Sequence, residues 1–172
     1  MPKISFLDIV TYLEDLATKH ADINESYRWN VLDASGAMRS GINTPLMLID
    51  AIETQTTGGP GKTIHKNTTA VTILGKPNTP TAHADAYQSQ NEVLDHCQKI
   101  CFEIEARIIH DSKQILDASG NKNWMYGLVD RSSFHFFKVG PIFSDRLFGY
   151  RCELTLKNTV PDCPDQKKWS DL

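Results

Sequence analysis

Polar and apolar residues alternate most regularly between Ser133 and Asn158. A first run there is dense in strand formers: Phe134, Phe136, Phe137 and Val139. A second places Phe148, Tyr150, Cys152, Leu154 and Leu156 at every other position, with Gly149, Arg151, Glu153, Thr155 and Lys157 between them. Successive side chains of a strand point to opposite faces, so this alternation predicts a strand with one apolar face and one charged face. Gly140-Pro141 and Ser144-Asp145-Arg146 supply turn chemistry between the runs. The pair reads as two antiparallel strands closing a sheet.

Helical spacing appears twice. Phe6, Ile9, Val10, Leu13, Leu16 and Ala17 recur at a helical period behind Ser5 and Asp8, a capping-box pair with Asp in place of Glu. This helix is expected to end near His20. The longest helix is predicted from Ala84 to His110, with Val93, Cys97, Ile100, Cys101, Ile104 and Ile108 on one stripe and Leu94 widening it.

Between the helices, Tyr27, Trp29 and Val31 alternate with Arg28, Asn30 and Leu32 and predict a strand, with a turn at Ser35-Gly36. Leu46 to Ile52 is nearly all apolar and predicts a central strand buried on both faces, with Asp50 anomalous inside it. Thr54 to Asn67 has almost no apolar content and is centred on Gly-Gly-Pro-Gly, which predicts a flexible polar loop. A strand resumes from Thr68 to Leu74. The two strands and their long tip form a projecting hairpin, and Pro77 and Pro80 stiffen the connector that follows. Ser119-Gly120-Asn121 marks a turn, and Trp124 to Val129 is a further candidate strand. The tail after Asn158 has little to bury except Trp169 and is expected to be an arm. The fold class is therefore α+β: a mostly antiparallel sheet with two amphipathic helices on one face. The expected division is a single domain over 1–158, with hairpin tip 54–67 and C-terminal arm 159–172.

Composition narrows the function classes. At 172 residues the chain can bury a core without a metal or disulfide staple. A formal net charge of -3 gives no basic footprint for wrapping nucleic acid. No apolar run reaches the roughly 20 residues of a membrane span, and no export signal is expected. Cys97, Cys101, Cys152 and Cys163 lack the pattern of a secreted disulfide framework and read as reduced thiols.

Candidate chemistry is sparse. Gly58-Gly59-Pro60-Gly61-Lys62-Thr63 ends like a phosphate-binding loop, but Thr56 stands where the leading glycine belongs, and a strand is expected next instead of a helix. Cys97 and Cys101 could offer two thiolates to zinc, yet both fall on the apolar stripe, so core packing is favoured. The six histidines are scattered, and no G-x-S-x-G elbow occurs. Asp85 with Asp95, and Glu103 with Glu105, read as polar helix face. No cofactor, metal or catalytic residue is expected. Lys62, His65 and Lys66 form a basic cluster on the hairpin tip, suited to phosphates or to a neighbouring subunit.

Phe137-Lys138-Val139-Gly140-Pro141, followed by Asp145-Arg146-Leu147-Phe148-Gly149-Tyr150-Arg151-Cys152-Glu153-Leu154-Thr155-Leu156, resembles the closing strands of neck and tail-completion proteins of tailed bacteriophages. The flavour is that of phages from Bacteroidetes-type hosts, crAss-like phages included. The order of elements is similar to the tail-terminator fold. The resemblance implies a non-enzymatic virion protein that forms a homo-oligomeric ring between portal and tail and lines the DNA channel. Its partners would be its own copies, the portal or adjacent neck and tail proteins, with non-specific DNA contact and no membrane. The expected contact residues are Gly58, Gly59, Gly61, Lys62, His65 and Lys66 on the tip, Arg151, Glu153 and Lys157 on the charged face, and Trp169 in the arm. Two other classes are left open: a small cytosolic enzyme or ligand-binding domain, which predicts a concave pocket with convergent polar groups, and a plain adaptor that binds one partner without ring symmetry.

Overall fold

A computed structural model describes residues 4–28, 42–59, 61–78, 83–143, 146–160 and 167, with backbone alone for 83–86. Helix α1 (Phe6–Lys19) starts at the predicted capping box. The Asp8 amide donates to Ser5 Oγ at 3.1 Å, and the Ser5 amide donates to Asp8 Oδ2 at 2.9 Å. These bonds satisfy two donors that the first turn leaves without partners. His20 caps the other end. Strand β1 (Glu25–Arg28) follows and holds the predicted Tyr27 and Arg28; Trp29 to Leu32 and the Ser35-Gly36 turn lie outside the described residues.

Strand β2 (Leu46–Ile49) is buried along its whole length. It is shorter than the apolar run suggested, and Asp50 lies just beyond it. Strand β3 (Glu53–Gly59) and strand β4 (Lys62–Gly75) correct the predicted flexible loop. The stretch is polar because both its faces meet solvent, yet its threonines are β-branched and hold extended backbone well. Thr54 Oγ1 donates to Asn67 Oδ1 across the pair at 2.8 Å. The lysine and threonine that resembled a nucleotide loop open β4, so no helix N-terminus stands behind them.

Helix α2 (His83–Asp111) carries the predicted stripe. Trp124 to Leu128 forms successive turns, contrary to the strand predicted there. Asn123 explains the difference. Its Oδ1 accepts the Met125 amide at 3.0 Å, and its Nδ2 donates to the carbonyls of Asp111 at 2.7 Å and Gln114 at 2.8 Å. Such local bonds outcompete a ladder. Strands β5 (Val129–Ile142) and β6 (Leu147–Val160) form the terminal hairpin. β5 runs through Gly140-Pro141, and β6 passes the expected boundary at Asn158 to reach Val160.

The strand order is β1-β2-β4-β6-β5, with β3 paired to the first half of β4. All pairings are antiparallel except β1 with β2. Both helices cover one face. There Ile9, Leu13 and Leu16 of α1 and Ile100, Ile104 and Ile108 of α2 pack with Ile49, Ile73 and Leu154 of the sheet. Cys97, Cys101 and Cys152 belong to this core as free thiols. Leu46, Leu48, Leu74 and Leu147 form a second buried cluster with Tyr27, Val139 and Ile142. The alternation along β2 divides its residues between the two clusters, so both of its faces are buried. Among the described residues no helix is long and apolar enough to cross a membrane.

Candidate functional site

β4 fixes the site. Its second half is core and its first half forms the hairpin tip, so tip and core share one continuous strand. β4 pairs with β6 from Thr63↔Val160 to Gly75↔Phe148, which makes the projecting part three-stranded. The tight end depends on Gly58. Its φ is 122°, and an added Cβ would lie 2.0 Å from the Lys62 carbonyl oxygen. Gly61 also has positive φ, at 79°. These positions are available to glycine at little steric cost.

The register divides the predicted basic cluster. Lys66 sits directly opposite Lys157, and Lys62 lies four positions before it on the same face of β4. Arg151, Glu153 and Lys157 share that face, which is turned away from the helices. His65 pairs with Asn158 and lies on the other face, apart from the two lysines. Lys62 is exposed and Lys66 half-buried, and neither makes an ion pair among the described residues. Lys157 is bonded to Asp130, which together with Ser132 holds that carboxyl below its ordinary value. Among the described residues Lys66 thus has no ion-pair partner and stands beside an already paired lysine. Like charges opposed on a sheet are unfavourable in isolation and become useful against an anionic surface.

A second group lies farther along the same face. Arg151 is bonded to Asp50 and reaches Glu153 Oε1 at 3.3 Å, with its guanidinium 5.8 Å from the centroid of the Phe137 ring. Burial pushes the Asp50 carboxyl up despite Arg151 beside it. Asp50, odd in an apolar run, is the partner that lets Arg151 lie down on the sheet. The pairing joins residues about a hundred positions apart, and only the fold brings them together. Asp130 was missed for the same reason. Trp169 lies outside the described residues.

Among the described residues no group of three or more His, Cys, Asp or Glu side chains is placed to hold a metal ion. Burial pushes the Cys97 and Cys152 thiols up to about 12 and raises Cys101 as well. These thiols are therefore neutral packing groups at neutral pH. No protein family matches this chain, and no curated protein matches it.

Proposed function

We propose that this chain is a structural ring protein of the head-to-tail connector or tail of a tailed bacteriophage, joining portal to tail. It acts through self-association and carries no catalytic site. The observation that carries the reading is the pair of open flanks on one sheet. Among the described residues β3 and β5 each pair on one side only, and they lie on opposite sides of the β4–β6 centre. A strand edge exposes unpaired N–H and C=O groups that a neighbour's strand can complete. Two different edges on opposite flanks allow head-to-tail contacts, which close into rings when the rotation permits. The face with Lys62, Lys66 and Lys157 would then line a channel and meet DNA phosphates without reading sequence. The resemblance of β5 and β6 to phage tail-completion proteins supports the same reading.

Light scattering with negative-stain imaging tests it. A discrete ring is expected as concentration rises. Removing residues 161–172 is expected to weaken assembly while the circular dichroism of the protomer is unchanged. A chain that stays monomeric alone, and that also fails to join a phage portal, would refute the ring. A ligand-binding domain is the second reading, and one observation favours it: an open cleft beside α1, described next.

A further inference from the structure

The cleft lies between α1, the C-terminal end of α2 and the segment 112–125. Its volume is about 420 Å³, within the usual range of roughly 300–1,000 Å³ for small-ligand sites. Tyr12, Leu116, Trp124 and Met125 give it an apolar side. Tyr12 and Trp124 meet edge to face, their centroids 6.1 Å apart. Leu116 stands at 56 % exposure.

The charged groups differ in what they have left to offer. Asp111 accepts from Tyr12 Oη at 3.0 Å, from Arg107 Nε at 2.8 Å and from His110 Nδ1 at 3.1 Å. Burial alone would raise this carboxyl, but those three bonds hold it below its ordinary value. Asp15 holds Lys19 at 2.6 Å. Asp117 accepts the amides of Ser119 and Asn121, both at 2.9 Å. Asp111 thus uses both of its oxygens, whereas Asp15 and Asp117 each use one. Arg107 is the cation with donors to spare: only its Nε is used, and its two terminal nitrogens make no bond among the described residues. Anchored at Nε, the guanidinium presents a fixed pair of donors whose spacing matches the two oxygens of a carboxylate.

We propose that this cleft binds a carboxylate carried on an apolar or aromatic body. The acid lies on the Arg107 terminal nitrogens, and the body lies against Trp124 and Leu116. This site is separate from the hairpin face and stands whether or not the chain forms rings. Two sources present that chemistry: a free small acid, and a glutamate flanked by apolar residues in a peptide.

Ligand-observed NMR on the full chain tests it with phenylacetate, acetate, phenethylamine and a capped tripeptide holding a glutamate between two leucines. Phenylacetate is expected to bind, acetate about tenfold more weakly, and the cation phenethylamine not at all. Binding of the tripeptide in addition assigns the peptide source, and binding of phenylacetate alone assigns the small acid. Arg107→Gln is expected to lose about tenfold in affinity. Leu116→Asp places a negative charge on an exposed rim position that the core does not need, and is expected to abolish binding with the fold intact. Absence of phenylacetate binding, equal binding of phenethylamine, or unchanged affinity in both variants would overturn the proposal.

Discussion

Gly149→Ala tests the sheet that the whole arrangement depends on. Gly149 sits opposite Leu74 where β6 crosses close to β4. A Cβ added there would lie 1.8 Å from the Ile73 carbonyl oxygen, 2.8 Å from its carbon and 3.0 Å from Leu74 Cα. All three atoms are backbone, so no side chain can swing aside. The strands must part by roughly 1 Å, a gap that forfeits a quarter to a half of the local contact energy. Overpacking of this kind costs about 1–3 kcal/mol, and a lost ladder bond adds about 1 kcal/mol. The expected loss is therefore about 3 kcal/mol, or about 6–12 °C in Tm for a chain of this size. Urea unfolding followed by circular dichroism reads it as a lower midpoint at unchanged slope. Gly59→Ala is the control, because an added Cβ there meets nothing within 4 Å. Its backbone lies outside the left-handed region, so alanine is expected to stabilise by roughly 0.4–1 kcal/mol through the unfolded chain. If Gly149→Ala falls within about 0.5 kcal/mol of the parent, or if both variants cost the same, the close approach is not real.

Arg151→Ala removes the partner of a half-buried carboxylate and is expected to cost about 2 kcal/mol, with a smaller loss in Arg151→Ala combined with Asp50→Asn; additive losses in denaturant titrations would deny the coupling. Asp111→Asn is expected to weaken the α1–α2 contact at neutral pH. Because the folded Asp111 pKa is depressed, its contribution is present above the unfolded value of about 3.9 and fades as pH falls through the folded value, so the gap between parent and variant should narrow in that window. A gap that stays constant down to acid pH would contradict this. The buried thiols of Cys97, Cys101 and Cys152 should resist a disulfide-exchange reagent in the native state and react in denaturant. Rapid native labelling of Cys97, Cys101 or Cys152 would show that the helix layer opens.

What the sequence made readable follows from period. The capping box, both amphipathic stripes and the β6 alternation are local patterns, and each fell where its period placed it. The Thr54–Asn67 stretch was misjudged because solvent on both faces leaves a strand without apolar alternation, and only β-branched threonines remain as a signal. Trp124–Leu128 looked extended by composition, and the side chain of Asn123 decided otherwise. The candidate site was less accessible still. Lys62 and Lys66 could be named, but their separation from His65 depends on register. Asp50 with Arg151, Asp130 with Lys157, and Tyr12 with Asp111 are pairs that chain proximity cannot announce.

The fourteen-residue strands β4 and β6 each extend roughly 46 Å if fully regular. They run side by side from the helix-covered body to the tip without a break in their mutual register. Such a bar has no joint. A load applied near Lys62 would travel along the backbone ladder and arrive beneath α2, where Cys97 and Cys101 rest on the carbonyls of Phe148 and Tyr150. The projecting end is mechanically a lever whose fulcrum is the helix layer, so engagement at the tip would be felt as stress in the protein interior.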